Sequence, residues 1–157
     1  MQRSQWVMDS KIGKLYLVAS EKGLHGIFWK KQALPLKKTK IIDQALQELK
    51  EYFDGKRKNF EVPLVMDGTA FQKRVWKQLR RIPYGQTCSY KDVANRIKNT
   101  KAVRAVGGAN GKNPVCIIVP CHRVIAADGT LGGYSGRAGA KSKLLELERA
   151  VKPAVRL

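Results

Sequence analysis

The spacing of apolar residues changes along this chain, and each change marks an element. Residues 13–19 alternate, meet a Glu21-Lys22-Gly23 turn, and are followed by the apolar-rich stretch 24–29, which predicts a β-hairpin. From 41 to 53 the period becomes helical, with Ile42, Ala45, Leu46, Leu49 and Phe53 on one face and Gly55 as the stop signal. Lys56-Arg57-Lys58-Asn59 and Pro63 then mark a boundary, so the chain divides into 1–62, a small α/β subdomain, and 63–157, a mainly helical domain.

In the second part Thr69 can cap a helix over 71–82, with Val75, Trp76, Leu79 and Ile82 apolar, and Pro83-Tyr84-Gly85 breaks it. Ser89 can cap a helix running to Ile97, and Thr100 one over 101–109. Two short helices joined by a tight turn give the pattern of a helix-turn-helix. The unbroken apolar run Val115-Cys116-Ile117-Ile118-Val119 predicts a strand. A glycine-rich loop over 128–139 and a last helix over 140–150 complete the chain.

The charge is strongly one-sided. The 157 residues carry a formal net charge of +19 with 43% hydrophobic content, so a folded core and a polyanionic partner are both expected. Residues 1–62 hold 13 Lys/Arg against 7 Asp/Glu, and residues 63–157 hold 18 against 5. The excess therefore lies mainly in the helical part. Three cysteines argue against a disulfide framework, and no run of about 18 apolar residues predicts a membrane span. A reducing, cytoplasmic setting is the expectation.

The candidate chemistry sits where the apolar run ends, at Pro120-Cys121-His122-Arg123. Thiolate is the reactive form of cysteine, and nearby imidazole and positive charge favour it. Adjacent residues of a strand point to opposite faces, so either the chain turns after Pro120 or a water bridges Cys121 and His122. A carboxylate should complete the relay. Glu146 and Glu148 on the last helix are the best candidates, and the nearer acid, Asp128, is on the loop. Cys88 and Cys116 read as buried structural thiols. With no Cys-x-x-Cys pair and His25 the only other imidazole, no metal site is expected. Arg104 reads either as an exposed helical arginine or as a side chain that penetrates a duplex. Tyr90 reads either as a core aromatic or as a hydroxyl aimed at a substrate.

A longer pattern contains these residues: Gly68-Thr69-x-Phe71-Gln72, Val75-Trp76, Pro83-Tyr84-Gly85-Gln86-Thr87, Ser89-Tyr90, Val103-Arg104-Ala105-Val106-Gly107-Gly108-Ala109-Asn110, Asn113-Pro114, Pro120-Cys121-His122-Arg123-Val124 and Gly133-Tyr134-Ser135-Gly136. It closely resembles the methylated-DNA–protein-cysteine methyltransferases, the O6-alkylguanine-DNA alkyltransferases, over essentially all of 63–157. Residues 1–62 match more loosely, through Tyr52-Phe53-x-Gly55.

The resemblance implies a ribonuclease H-like N-terminal subdomain and a winged-helix-like C-terminal domain. It implies that Cys121 accepts an alkyl group from O6 of guanine, or to a lesser degree O4 of thymine, with the base flipped and the protein used once. His122 would activate Cys121 through a water, Glu148 would orient His122, and Tyr90 would protonate N3 of the departing guanine. Arg104 would fill the vacated stack, with Thr87, Ser89, Ala105 and Gly107 along the DNA, approached from the minor groove. Asn113 would tie the helix-turn-helix to the active-site strand. The backbone of Cys121 and Val124 would read the guanine amino group, the Ser135 amide would face O6, and Tyr134 and Gly136 would shape the alkyl pocket. The implied partner is double-stranded DNA bound by a monomer, without membrane association. No cofactor is implied, and the zinc of some relatives is not expected, since no cysteine precedes Cys88. Two rivals remain at this point: a DNA-damage sensor with no chemistry, and a cysteine hydrolase with a Cys-His-Glu relay.

Overall fold

In a computed structural model that describes residues 2–130 and 139–149, the chain forms two compact units, Met1–Asp67 and Gly68–Leu157. The first unit opens with three antiparallel strands in the order β1 (Ser4–Ser10), β2 (Gly13–Ser20) and β3 (Gly23–Phe28). The hairpin read from the sequence is β2–β3. The strand β1 has no apolar alternation to betray it, because two of its buried residues, Ser4 and Gln5, are polar. Helix α1 (Lys40–Phe53) follows, its first turn closed by the Thr39 side chain accepting from the Ile42 amide. Its face of Ile42, Ala45, Leu49 and Tyr52 is buried, as are Leu15, Leu17 and Leu24 of the sheet it packs on. Burying each such leucine or isoleucine contributes roughly 1.5–3 kcal/mol.

The break between units falls after Asp67, a few residues beyond the 62/63 boundary expected from composition. Hydrogen bonding explains the difference. The Leu24 amide donates to the Pro63 carbonyl at 2.8 Å and the Val65 amide to the Leu24 carbonyl at 2.9 Å, so Pro63 and its followers run beside β3 and stay with the first unit.

The second unit is mainly helical. Helix α2 (Ala70–Leu79) begins with a capping box between Thr69 and Gln72, and α3 (Tyr90–Arg96) with one between Ser89 and Asp92. Helix α4 (Val103–Gly111) packs on both. It starts later than predicted. Ala102 takes the cap position without a side-chain bond, so Thr100 does not cap it. A two-residue parallel pairing joins β4 (Cys88–Ser89) to β5 (Val124–Ile125). This sets the start of α3 beside the chain that has just passed Cys121. Helix α5 (Ala140–Leu147) comes last among the described residues. None of the described helices is long and apolar enough to cross a membrane.

Candidate active site

The apolar run before Cys121 is not a strand. The Ile118 amide donates to the Cys116 carbonyl at 2.9 Å and the Val119 amide to the Val115 carbonyl at 3.0 Å, folding the run back on itself. Ile117 sits at the centre of the first of these bonds with φ +75°, in a γ-turn of the rare positive-φ kind. A buried β-branched residue held there stores roughly 1–3 kcal/mol. The run is apolar because the turn is buried: Val115, Ile117 and Val119 are each at most 1% exposed.

Two asparagines hold this turn against the end of α4. Asn113 Nδ2 donates to the Val119 carbonyl at 2.8 Å, and its Oδ1 accepts from the Val115 amide. Asn110 Nδ2 reaches the Cys121 carbonyl at 3.4 Å. Trp76 Nε1 donates to the Ala109 carbonyl at 2.8 Å, fixing the same end of α4 to α2. Asn113 thus ties the helix-turn-helix to the Cys121 segment, and Asn110 is a second tie that the sequence did not single out.

After Pro120 the chain makes one turn of 3₁₀ helix, Cys121–Arg123. Successive side chains on such a turn are separated by about 120°. The objection that a strand would turn His122 away from Cys121 therefore falls with the strand. His122 is fully buried, and its Nε2 lies 2.7 Å from Oε2 of Glu148, the residue that closes the C-terminus of α5. Arg123 grips the same carboxylate with both arms, Nε to Oε1 at 2.8 Å and Nη2 to Oε2 at 3.0 Å. Its third nitrogen donates to the Ile82 carbonyl, and its guanidinium lies over the Tyr84 ring. The Gly85 amide adds a longer bond to Glu148 at 3.3 Å. Gly85 has φ +80°, and a Cβ there would come within 3.2 Å of the Glu148 carbonyl, so this turn requires glycine.

Among the acids considered, the structure thus selects Glu148; Asp128 is instead bonded to Thr130 on its own loop. Burial opposes the charge on Glu148, but the bonds from His122 and Arg123 prevail and hold its carboxyl well below the ordinary carboxylate range. Burial pushes the His122 pKa down, against the pull of Glu148, and Arg123 and Lys141 push the same way as burial. The resting pair is a neutral imidazole beside a carboxylate. An ionised carboxylate only accepts, so Nε2 carries the proton and Nδ1 the lone pair. That Nδ1 is buried with no hydrogen-bond partner among the described residues. A neutral imidazole with such a lone pair is able to accept a proton.

Tyr90, the first residue of α3, is half-buried, and burial together with Cys121 raises its pKa, so it is a protonated donor at neutral pH. Lys141 joins the site from α5. It is 3% exposed, its Nζ donates to the Val124 carbonyl at 2.6 Å, and it lies 5.8 Å from the Tyr90 ring. Burial lowers its pKa to about 8, with the charge of Cys121 pulling the other way. Lys141, Leu144, Leu145 and Glu148 fall at i, i+3, i+4 and i+7 of one helical face. That spacing was the available signal.

The remaining predicted residues separate into groups. Arg104 and Ala105 are exposed on α4, and Gly107 is half-buried there, beside the Tyr90 ring. Thr87 and Ser89 are buried, and Ser89 Oγ is occupied in capping α3, so neither offers its side chain to a DNA surface. Val124 is buried beside the site with its carbonyl held by Lys141. Tyr134, Ser135 and Gly136 lie outside the described residues. Cys88 and Cys116 are buried, and burial pushes the Cys88 thiol up to about 12, which suits an inert packing role. No group of three or more potential metal ligands occurs among the described residues.

Comparison with known proteins matches this architecture piece by piece. Residues 70–150 match the 6-O-methylguanine DNA methyltransferase DNA binding domain, and residues 6–66 its ribonuclease-like domain. The chain belongs to the 6-O-methylguanine DNA methyltransferase family. A methylated-DNA–protein-cysteine methyltransferase of Methanosarcina barkeri is 43% identical over 90% of this chain and 94% of its own. The inducible enzyme of that name from Bacillus subtilis is 46% identical over 92% of this chain and 83% of its own. The solved structure of Mycobacterium tuberculosis OGT in complex with DNA superposes with a TM-score of 0.85 at 44% identity, covering 93% of this chain and 92% of that one. Family membership gives the buried Cys121-His122-Arg123 turn its context in DNA repair.

Proposed function

We propose that this chain repairs alkylated DNA by moving the alkyl group from O6 of guanine, and to a lesser degree O4 of thymine, onto Sγ of Cys121, once per molecule. The observation that carries the reading is the His122–Glu148 contact of 2.7 Å on the same 3₁₀ turn that bears Cys121. The Cys121 proton passes to Nδ1 of His122 through a water seated at that buried lone pair. Glu148 stabilises the imidazolium that forms, and the ammonium of Lys141 stabilises the thiolate. Sulfur attacks the alkyl carbon, the carbon–O6 bond breaks, and its electron pair withdraws into the purine. The Tyr90 hydroxyl supplies a proton to N3, so that a neutral guanine leaves. The thioether has no facile reverse path, and each molecule is used up.

O6 is buried in a stacked duplex, so the base must be flipped out, at a cost of a few kcal/mol that is smaller for a poorly paired alkylguanine. Arg104 projects from the exposed face of α4 to fill the gap, and the small residues Ala105 and Gly107 suit the narrow minor groove. Thr87 and Ser89 support α3 instead of touching DNA. The carbonyl of Val124, held by Lys141, orients the base, and Asn113 keeps the Cys121 turn fixed to α4. By the family resemblance alone, the Ser135 amide would face O6, and Tyr134 and Gly136 would shape the alkyl pocket. One chain per lesion suffices, acting as a monomer in the reducing cytoplasm without cofactor or metal.

The test is an intact mass measurement after incubation with duplex DNA containing O6-methylguanine. The expected result is one added methyl, mapped to Cys121, saturating at one per protein and absent in Cys121→Ser. No mass change would sink the proposal, and repeated turnover without a stable adduct would point to a hydrolase.

A further inference from the structure

The first unit contains a feature that alkyl transfer does not use. Between β3 and α1 the chain has almost no regular structure, yet one buried side chain fixes its path. Gln5, fully buried on β1, donates through Nε2 to the carbonyls of Gln32 and Leu34, both at 2.7 Å, and its Oε1 accepts from the Gln32 amide at 2.9 Å. Its backbone amide donates to the Pro35 carbonyl and its carbonyl accepts from the Lys37 amide, at 2.9 and 3.1 Å. A polar residue buried in a strand and bonded five times over is a device for holding an irregular segment in one shape.

The segment so held presents lysines. Lys30, Lys31, Lys37, Lys38 and Lys40 are all exposed, and residues 30–42 contain no acid. Lys38 is steadied over the Trp6 ring at 5.5 Å, and its only ion pair among the described residues is a long one of 3.9 Å to Asp43. Lys37 and Lys40 line a cavity of about 840 Å³ together with Arg3, Ser20, Thr39 and a single acid, Glu21. Arg3 is engaged by Asp67, so the unmatched charge belongs to the lysines. Solvated lysines on a mobile loop would serve solubility equally well. Fixing their backbone lowers the ordering cost of engaging a partner.

We propose that this lysine-rich segment is a second docking surface for the phosphate backbone of duplex DNA, additional to the helix-turn-helix of the other unit. The inference rests on the reading of the chain as a DNA-repair protein. The partner follows from complementarity: duplex DNA offers about one negative charge per 1.7 Å of its axis, and cations without base-reading side chains suit damage at any sequence. A second phosphate contact would hold the protein on DNA while bases are sampled.

The experiment measures affinity for a duplex of about 40 base pairs against salt, by fluorescence anisotropy. It compares the full chain with two five-fold variants of the first unit. One replaces Lys30, Lys31, Lys37, Lys38 and Lys40 by glutamine. The control replaces Lys14, Lys22, Lys50, Lys56 and Lys58, five exposed lysines elsewhere on that unit. The cluster variant should lose up to about 4.5 from the slope of log affinity against log salt, at roughly 0.9 per phosphate for five lysines, while the control keeps the parent slope. Methyl transfer at saturating DNA should remain unchanged in both. Equal slopes in the two variants, whether reduced or not, would overturn the docking surface and leave general basicity. If the parent chain itself failed to bind DNA, the functional reading would fall first.

Discussion

His25 and His122 occupy nearly the same physical situation, one in each unit. Each is buried, each has a nitrogen 2.7 Å from an oxygen partner, and each has an Nδ1 with no hydrogen-bond partner among the described residues. Burial lowers the pKa of both. The partner makes the difference. His25 meets the hydroxyl of Ser20, a neutral group that stabilises neither form of the ring strongly. His122 meets a carboxylate that Arg123 keeps ionised, and it follows a thiol in the chain. A buried histidine is common structural material. A buried histidine whose imidazolium has a prepared counter-charge, next to a proton donor, is a base. Geometry alone does not separate the two; the charge of the oxygen partner does.

The most damaging way to erase the difference is Glu148→Gln. It strands the buried Arg123 guanidinium, which should cost about 3–5 kcal/mol of stability, and removes the imidazolium's counter-charge, which should slow transfer by about 10²–10⁴. Thermal denaturation and rapid-quench kinetics measure the two losses. Arg104→Ala should slow repair of a duplex by on the order of tenfold or more while affecting a single-stranded substrate less, because only the duplex has a stack to refill. Comparing the two substrates isolates that term. Lys141→Met strips the buried Val124 carbonyl of its donor, which should cost about 1–3 kcal/mol of stability, and it removes the charge beside Cys121, which should slow transfer near neutral pH by roughly tenfold. Ser20→Ala should do least, costing about 1 kcal/mol of stability and leaving the transfer rate at its parent value.

Acid stability sharpens the same comparison. Both histidines have folded pKa values below the unfolded value of 6.5, so the unfolded chain binds more protons below that pH and stability falls as pH drops through and beneath it. Glu148 adds its own loss at lower pH, since its folded pKa lies below the unfolded one and its contribution vanishes as the carboxylate is protonated.

Much of this was legible in the residues. The helical faces of α1, α2 and α3, the caps at Thr69 and Ser89, and Cys121 with His122 are where local pattern and tertiary structure agree. The failures have physical causes. Val115 to Val119 looked like a strand because a buried turn is as apolar as a buried strand, and nothing local announces that Ile117 will accept a positive φ. β1 was invisible because Gln5, its structural centre, is a polar residue buried to anchor a distant loop. Lys141 does not stand out in the sequence because a lysine on a helix is ordinarily a surface residue, although its spacing to Leu144, Leu145 and Glu148 puts it on the buried stripe. The choice among the acids was left open by the residues, and only the resemblance named Glu148 before the fold brought its carboxylate to His122 and Arg123.

The claim at the centre is that His122, neutral at rest, is the base that takes the Cys121 proton. It is tested most directly by the single-turnover rate of methyl transfer to the wild-type protein as a function of pH. A base with a depressed pKa predicts a rate that rises below pH 6.5 and has already levelled off by neutral pH. A rate still climbing tenfold per pH unit between 7 and 8.5, as for an unassisted thiol, would contradict it.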